Sequence, residues 1–221
     1  MPNTPLPEWE KLLASAAHLQ KIVPEAVLVG GTAAATFAHH RVSLDHDHTL
    51  TDLKARFDDV LATLESVAGW KTARVKRPVL ILGSLDGIET GIRQLIRDVP
   101  LETEVLEIDG ISLRVPTRAE MLRIKAVLIV KRNATRDYID FVALSELIGT
   151  DATLSALESF DRLYPQANGQ SARQQLQVQL ANPLPYDLDD TDLRQYKNLK
   201  QDYQDWVVVA EKCRAIANVL W

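Results

Sequence analysis

Apolar residues at helical spacing open the chain. Trp9, Leu12, Leu13, Ala16 and Leu19 fall on one face and predict a helix from Pro7-Glu8 to Ile22. The pattern then shortens: Val27 to Val29 reads as a buried strand, Thr32 to His39 as a helix, and Leu44 to Leu50 as a second strand. Helical spacing returns in Leu53, Phe57, Val60, Leu61 and Leu64, predicting a helix over Thr51 to Ala68 with Thr51 as N-cap. Lys71 to Pro116 reads as β structure, with hairpin turns at Asp86-Gly87 and Asp109-Gly110. Thr117 with Glu120 three residues on forms a capping box for a helix ending near Arg132, and a further helix runs from about Thr135 to Leu147. Beyond Gly149 the clearest helices are Ala172 to Leu180 and Asp202 to Leu220; Trp206, Trp221 and the apolar stripe Val207 to Val209 offer a docking face on these C-terminal helices, or ordinary core. The expected organisation is therefore an α/β domain over residues 1–148 and an all-helical domain over 149–221.

The 221 residues suffice for a sizeable core, and 46% hydrophobic with 25% charged residues is ordinary globular composition. The net charge is −5, so any contact with a polyanion must come from a local basic patch. A single cysteine, Cys213, excludes an internal disulfide and a cysteine-based zinc centre. No apolar run is long enough to span a bilayer, and the Pro-rich, polar first ten residues do not read as a signal peptide. Cytoplasmic localisation without membrane association is the expectation.

The chemistry concentrates in Val29-Gly30-Gly31-Thr32 and Ser43-Leu44-Asp45-His46-Asp47. Glycines at the start of a helix let backbone amides approach a phosphate. Asp45 and Asp47, alternating on a strand, point to one face and repel each other unless a cation lies between them. Mg²⁺ suits such a pair, because it takes a few carboxylates plus substrate phosphates. His46 and His48 alternate to the other face, and no zinc site is expected from them or from His39 and His40. Six basic residues (Arg118, Arg123, Lys125, Lys131, Arg132, Arg136) against one acid make Thr117 to Arg136 the local basic stretch. Lys125, Arg132 and Arg136 share one helical face if the helix is continuous, with Asn133 the point at which it can break.

Gly30-Gly31-Thr32-Ala33 with Arg41-x-Ser43-x-Asp45-x-Asp47, followed downstream by Lys125 and Arg132-(x)₃-Arg136-Asp137-(x)₂-Asp140, resembles the AbiEii/AbiGii-type nucleotidyltransferase toxins of the DNA-polymerase-β-like superfamily. The likeness runs from about Glu25 to Leu147. It implies an α+β fold: a mixed sheet flanked by helices, with a helical C-terminal domain. It also implies Mg²⁺-dependent transfer of a nucleotidyl group from an NTP to a hydroxyl of an RNA end such as tRNA, or of a protein. Members act as toxins of toxin–antitoxin or phage-defence pairs, so a cognate antitoxin is an implied partner. Carried over, Asp45 and Asp47 ligate the metal, and Gly30, Gly31, Thr32 and Ser43 contact the nucleotide. Lys125, Arg132, Arg136 and Asp137 join them from the later motif, with Lys125 at the triphosphate. The family's third carboxylate, a general base, falls best on Glu89 and next on Asp86; the pattern also allows it to fall at Gly91 and be missing. A chain of this fold that binds a nucleotide or a partner without chemistry is the alternative.

Overall fold

The computed structural model describes residues 7–167 and 169–220. Its elements run α1 (Pro7–Ile22), β1 (Val27–Val29), α2 (Gly30–Ala38), β2 (His46–Leu50), α3 (Leu53–Glu65), β3 (Trp70–Lys76), β4 (Leu80–Leu85), β5 (Ile88–Gln94), β6 (Thr103–Ile108) and β7 (Ile111–Pro116). They continue with α4 (Arg118–Arg132), α5 (Thr135–Ile148), α6 (Thr150–Glu158), α7 (Phe160–Leu163), α8 (Ala172–Ala181) and α9 (Trp206–Val219). Short 3₁₀ turns lie at Leu193–Gln195 and Gln201–Tyr203. This is an α+β fold. Trp221, expected with Trp206 and the apolar stripe, lies outside the described residues.

The chain divides into two compact units, Met1–Ala33 with Ser43–Pro116, and Ala34–Val42 with Thr117–Trp221. The division expected after residue 148 falls inside the second unit, between α5 and α6. Packing explains the difference. Helices α4 and α5 pair with each other and with α6, α8 and α9, so the helical layer begins where the β structure stops, at Pro116.

In the first unit a five-stranded sheet runs in the order β1-β2-β5-β4-β3. Only β2 and β5 pair in parallel; the other neighbours are antiparallel. Both hairpin turns form as the sequence predicts, with positive φ at Asp86, Gly87, Asp109 and Gly110. One sheet face is the core: Leu50, Trp70, Ile81, Leu85 and Ile92 pack under Leu19 and Val23 of α1 and Leu53, Phe57, Val60 and Leu64 of α3. Helix α3 begins two residues later than expected. Asp52, rather than Thr51, is its N-cap, and its first turn is closed from outside. Gln94 Oε1 accepts from the Lys54 N–H at 2.8 Å while Gln94 Nε2 donates to the Thr51 carbonyl at 2.6 Å.

Two histidines sit within this core face. His46 Nδ1 lies 2.8 Å from Thr90 Oγ1 and its Nε2 2.9 Å from Ser15 Oγ, so each ring nitrogen has a hydroxyl partner. His48 meets it edge-on at 5.3 Å, with both nitrogens buried and without hydrogen-bond partners among the described residues. Burial pushes His46 down to about 4 and holds His48 well below its ordinary 6.5. In the unfolded chain these rings bind protons near pH 6.5; in the folded one they do so only at lower pH. Stability is therefore full above pH 6.5 and declines between 6.5 and about 4. For His46 the loss is about 3 kcal/mol across that window. Urea unfolding at pH 7.5 and 4.5 checks this: the midpoint falls with pH in the wild type and falls less in His46→Gln.

Candidate functional site

Asp47 stands on the face of the sheet opposite the core. Its neighbours leave it room. Val29 of β1 pairs beside it, and the next residue, Gly30, turns the chain into α2 with φ +76°, a conformation that strains any L side chain. A Cβ on Gly30 would lie 3.5 Å from Asp47 Oδ2. On the other side Gly91 of β5 is Asp47's register partner; a Cβ there would run into Leu82 Cδ2 at 2.5 Å and the Ile81 carbonyl at 3.2 Å, and would touch Asp47 Oδ1 at an ordinary 3.5 Å. Asp45 is exposed and belongs to the bend before β2, not to the strand as expected, because β2 pairing starts only at His46. It is held in place nonetheless. Ser43 Oγ donates to Asp45 Oδ1 at 2.9 Å, and Thr32 Oγ1 donates to the Asp45 carbonyl at 2.5 Å. Both hydroxyls, expected at the nucleotide, thus orient the carboxylate segment, while the first amides of a helix such as α2 have no intrahelical acceptors.

Strand alternation puts Glu89, Gly91 and Arg93 on Asp47's face. Glu89 is exposed, and Arg93 Nε lies 3.7 Å from Asp47 Oδ1. Arg93 was not singled out from the sequence; its place two residues after Gly91 on a predicted strand was the available signal. Asp86 sits in the hairpin turn, 3.2 Å from His18 Nδ1.

In the second unit α4 ends at Arg132, where Asn133 adopts the left-handed conformation (φ 50°, ψ 44°), and α5 restarts at Thr135. The continuous face expected for Lys125, Arg132 and Arg136 is broken there. Lys125 is 1% exposed, its ammonium 2.7 Å from Asp140 Oδ2 and 3.5 Å from Asp137 Oδ1. Arg132 forks onto Asp137, with Nη2 2.7 Å from Oδ1 and Nε on Oδ2. Arg136 is exposed.

Asp140 is the hub of this cluster. It accepts from Lys125, from Arg41 Nε at 2.8 Å and Nη2 at 3.0 Å, and from His40 Nε2 at 2.7 Å. Burial by itself would raise its carboxyl; Arg41, then Lys125, and the His40 hydrogen bond outweigh burial and hold it well below the usual carboxylate range. Burial likewise keeps His40 below its ordinary value against the pull of Asp140. Arg41 and His40 were present in the sequence motif region, but their partner lies about a hundred residues away and no local spacing announces it.

No protein-family profile matches the chain. Among solved structures, a putative nucleotidyltransferase from H. pylori aligns over 96% of this chain and 92% of its own, with TM-score 0.51 and 18% identity. ANT(2″)-Ia, solved with adenylyl-2″-tobramycin, aligns over 69% of this chain and 96% of its own, with TM-score 0.50 and 12% identity. The fold is that of nucleotidyltransferases. In sequence, MmpL11 of Mycobacterium bovis, a probable transport protein, is 36% identical over 124 residues. MmpL11 of Mycobacterium tuberculosis, a heme uptake protein, matches equally. The chain spans 12% of the length of these curated relatives, and the match covers 55% of this chain. Among the described residues no helix is long and apolar enough to cross a membrane.

On this nucleotidyltransferase fold the donor set fits the magnesium ion that the sequence resemblance implies. Asp45 and Asp47 offer hard oxygens, and the two glycines beside Asp47 place no side chain against its carboxylate. Among the described residues no group of three or more His, Cys, Asp or Glu could hold a metal.

The hub in the second unit gives a stability prediction. Removing the Asp140 charge leaves Arg41 and Lys125 buried against an amide, and breaking a buried pair costs about 3–5 kcal/mol. Asp140→Asn should lower the unfolding free energy by that amount in urea titrations; a change under about 1 kcal/mol would contradict the hub.

Proposed function

We propose that this chain is a Mg²⁺-dependent nucleotidyltransferase that moves a nucleotidyl group from an NTP to a hydroxyl acceptor, an RNA end such as that of tRNA or a protein side chain. The observation that carries this reading is Asp47 flanked by Gly30 and Gly91 beside the N-terminus of α2, on the fold of nucleotidyltransferases. Asp45 and Asp47 would hold the metal, and the chemistry it supplies there is neutralisation of phosphate charge. The amides of Gly30, Gly31 and Thr32 would bind phosphate oxygens, assisted by the helix dipole. Ser43 and Thr32 keep Asp45 oriented. In the reaction the acceptor oxygen bonds to the α-phosphorus, the bond to the β-phosphate oxygen breaks, and pyrophosphate leaves. Glu89, exposed on Asp47's face, would take the acceptor's proton. The AbiEii/AbiGii resemblance extends the reading to the toxin of a toxin–antitoxin or phage-defence pair, with an antitoxin as partner.

One observation favours the second reading, a nucleotide- or partner-binding chain without turnover. Gly91 stands directly opposite Asp47, where a third carboxylate would complete the set. The two readings separate in one experiment. The protein is incubated with NTPs labelled at the α-phosphate, Mg²⁺, total RNA and a protein extract. The enzyme reading predicts label in the RNA or protein fraction, reduced about a hundredfold or more in Asp47→Asn and Asp45→Ala. Mg–NTP binding by calorimetry with no transfer would establish the nucleotide binder, and neither binding nor transfer would contradict both the enzyme and the nucleotide binder.

A further inference from the structure

The open face of the five-stranded sheet carries more than Asp47. Register pairing runs from Asp47 across Gly91 and Leu82 to Arg74, and on the next row from Thr49 across Arg93 and Leu80 to Lys76. A third row joins Glu89, Ser84 and Lys71. Residues paired in register share a face. Lys71, Arg74 and Lys76 therefore lie on Asp47's face of the sheet, at its outer edge, since β3 is the terminal strand. All three are exposed, and among the described residues none is ion-paired.

A β-bulge creates this arrangement. The β3–β4 register shifts between Thr72 and Arg74, so Ala73 is the extra residue. Without it Arg74 would pair with Ile81 and, like Ile81, face the core, while Ala73 and Val75 would occupy the open face. The bulge instead turns Val75 toward the core side, opposite Ile81, and gives the open face two cations about 7 Å apart. Arg93 lies between this edge and Asp47.

We propose that Lys71, Arg74 and Lys76 form a track for the phosphates of a single-stranded RNA whose end is presented at Asp47. The inference rests on the proposed nucleotidyl transfer for the role of that end, but the track stands on its own geometry. With strands ~4.8 Å apart, β3 lies about 14 Å from β2, a span of a few nucleotides. Charge selects the occupant. The chain as a whole carries −5 and repels polyanions, so a concentrated cationic edge sharing the Asp47 face is a local attraction. A polycationic acceptor would be repelled by the same edge.

The test measures binding of a fluorescently labelled short single-stranded RNA to the full chain by anisotropy at several salt concentrations, beside Mg–NTP binding by calorimetry. The double variant Arg74→Glu/Lys76→Glu is compared with Lys11→Glu/Lys21→Glu, which makes the same charge change on exposed positions of α1. The track predicts that the first variant loses about tenfold or more in RNA affinity and that its log–log salt slope falls by about 1.4, while the second stays within about twofold of wild type. Calorimetric NTP binding stays unchanged in both. Equal loss in both variants, no loss in the first, or no RNA binding by the wild type overturns the track. So does an affinity for anionic vesicles that alone responds to the first variant. RNA binding lost as predicted in a chain that binds no Mg–NTP would uphold the track and overturn the proposed function instead.

Discussion

A carboxylate meant to hold a cation needs open space and solvent at its oxygens, and Asp47 has a glycine on either side. Gly30 is held to glycine by its φ of +76° and Gly91 by Leu82 Cδ2, which a Cβ would approach to 2.5 Å, so neither neighbour carries a side chain against Asp47. It lies opposite the core face, while His46 and His48, one residue away on either side, are buried and held below their ordinary values by that burial. The strand thus alternates between a buried neutral histidine pair and an accessible carboxylate. Ser43 and Thr32 then hold Asp45 in the adjoining bend. The turn into α2, the parallel pairing with β5 and the packing of α1 and α3 beneath the sheet all serve that one side chain's environment.

The second unit solves the opposite problem. There Asp140 is fully buried and stays charged because Arg41, Lys125 and His40 converge on it. Such a cluster contributes less to net stability than its Coulomb terms suggest, since each charge has been taken out of water. It ties the segment Ala34–Val42 to the helical unit through His40 and Arg41 on Asp140, and backbone bonds from Lys200 to the His40 carbonyl and from Val42 to the Lys197 carbonyl hold it further.

Legibility in the sequence followed the range of the interaction involved. The turns at Asp86-Gly87 and Asp109-Gly110 and the cap at Thr117 are local chemistry, and each appears where its residues announce it. The apolar faces of α1 and α3 were equally plain. The start of α3 was not, because its cap comes from Gln94 on another element. Lys125 reads as an exposed cation in a basic stretch, yet it is buried, since its partners on α5 are fixed by helix pairing rather than by spacing. A helical unit assembled from Ala34–Val42 and a distant stretch leaves no composition shift at its true boundaries. The bulge at Ala73 is likewise silent: nothing in Lys-Thr-Ala-Arg-Val-Lys shows which residue is skipped.

The claim at the centre is that Asp45, Asp47 and the Gly30 turn form one ion- and phosphate-binding locus. Substituting Mn²⁺ for Mg²⁺ in the presence of an NTP and following backbone amide signals by NMR tests it directly. Paramagnetic broadening centred on Gly30, Gly31, Asp45 and Asp47, and abolished by Asp47→Asn, is the result this account predicts. Broadening centred elsewhere, or unchanged in that variant, would contradict it.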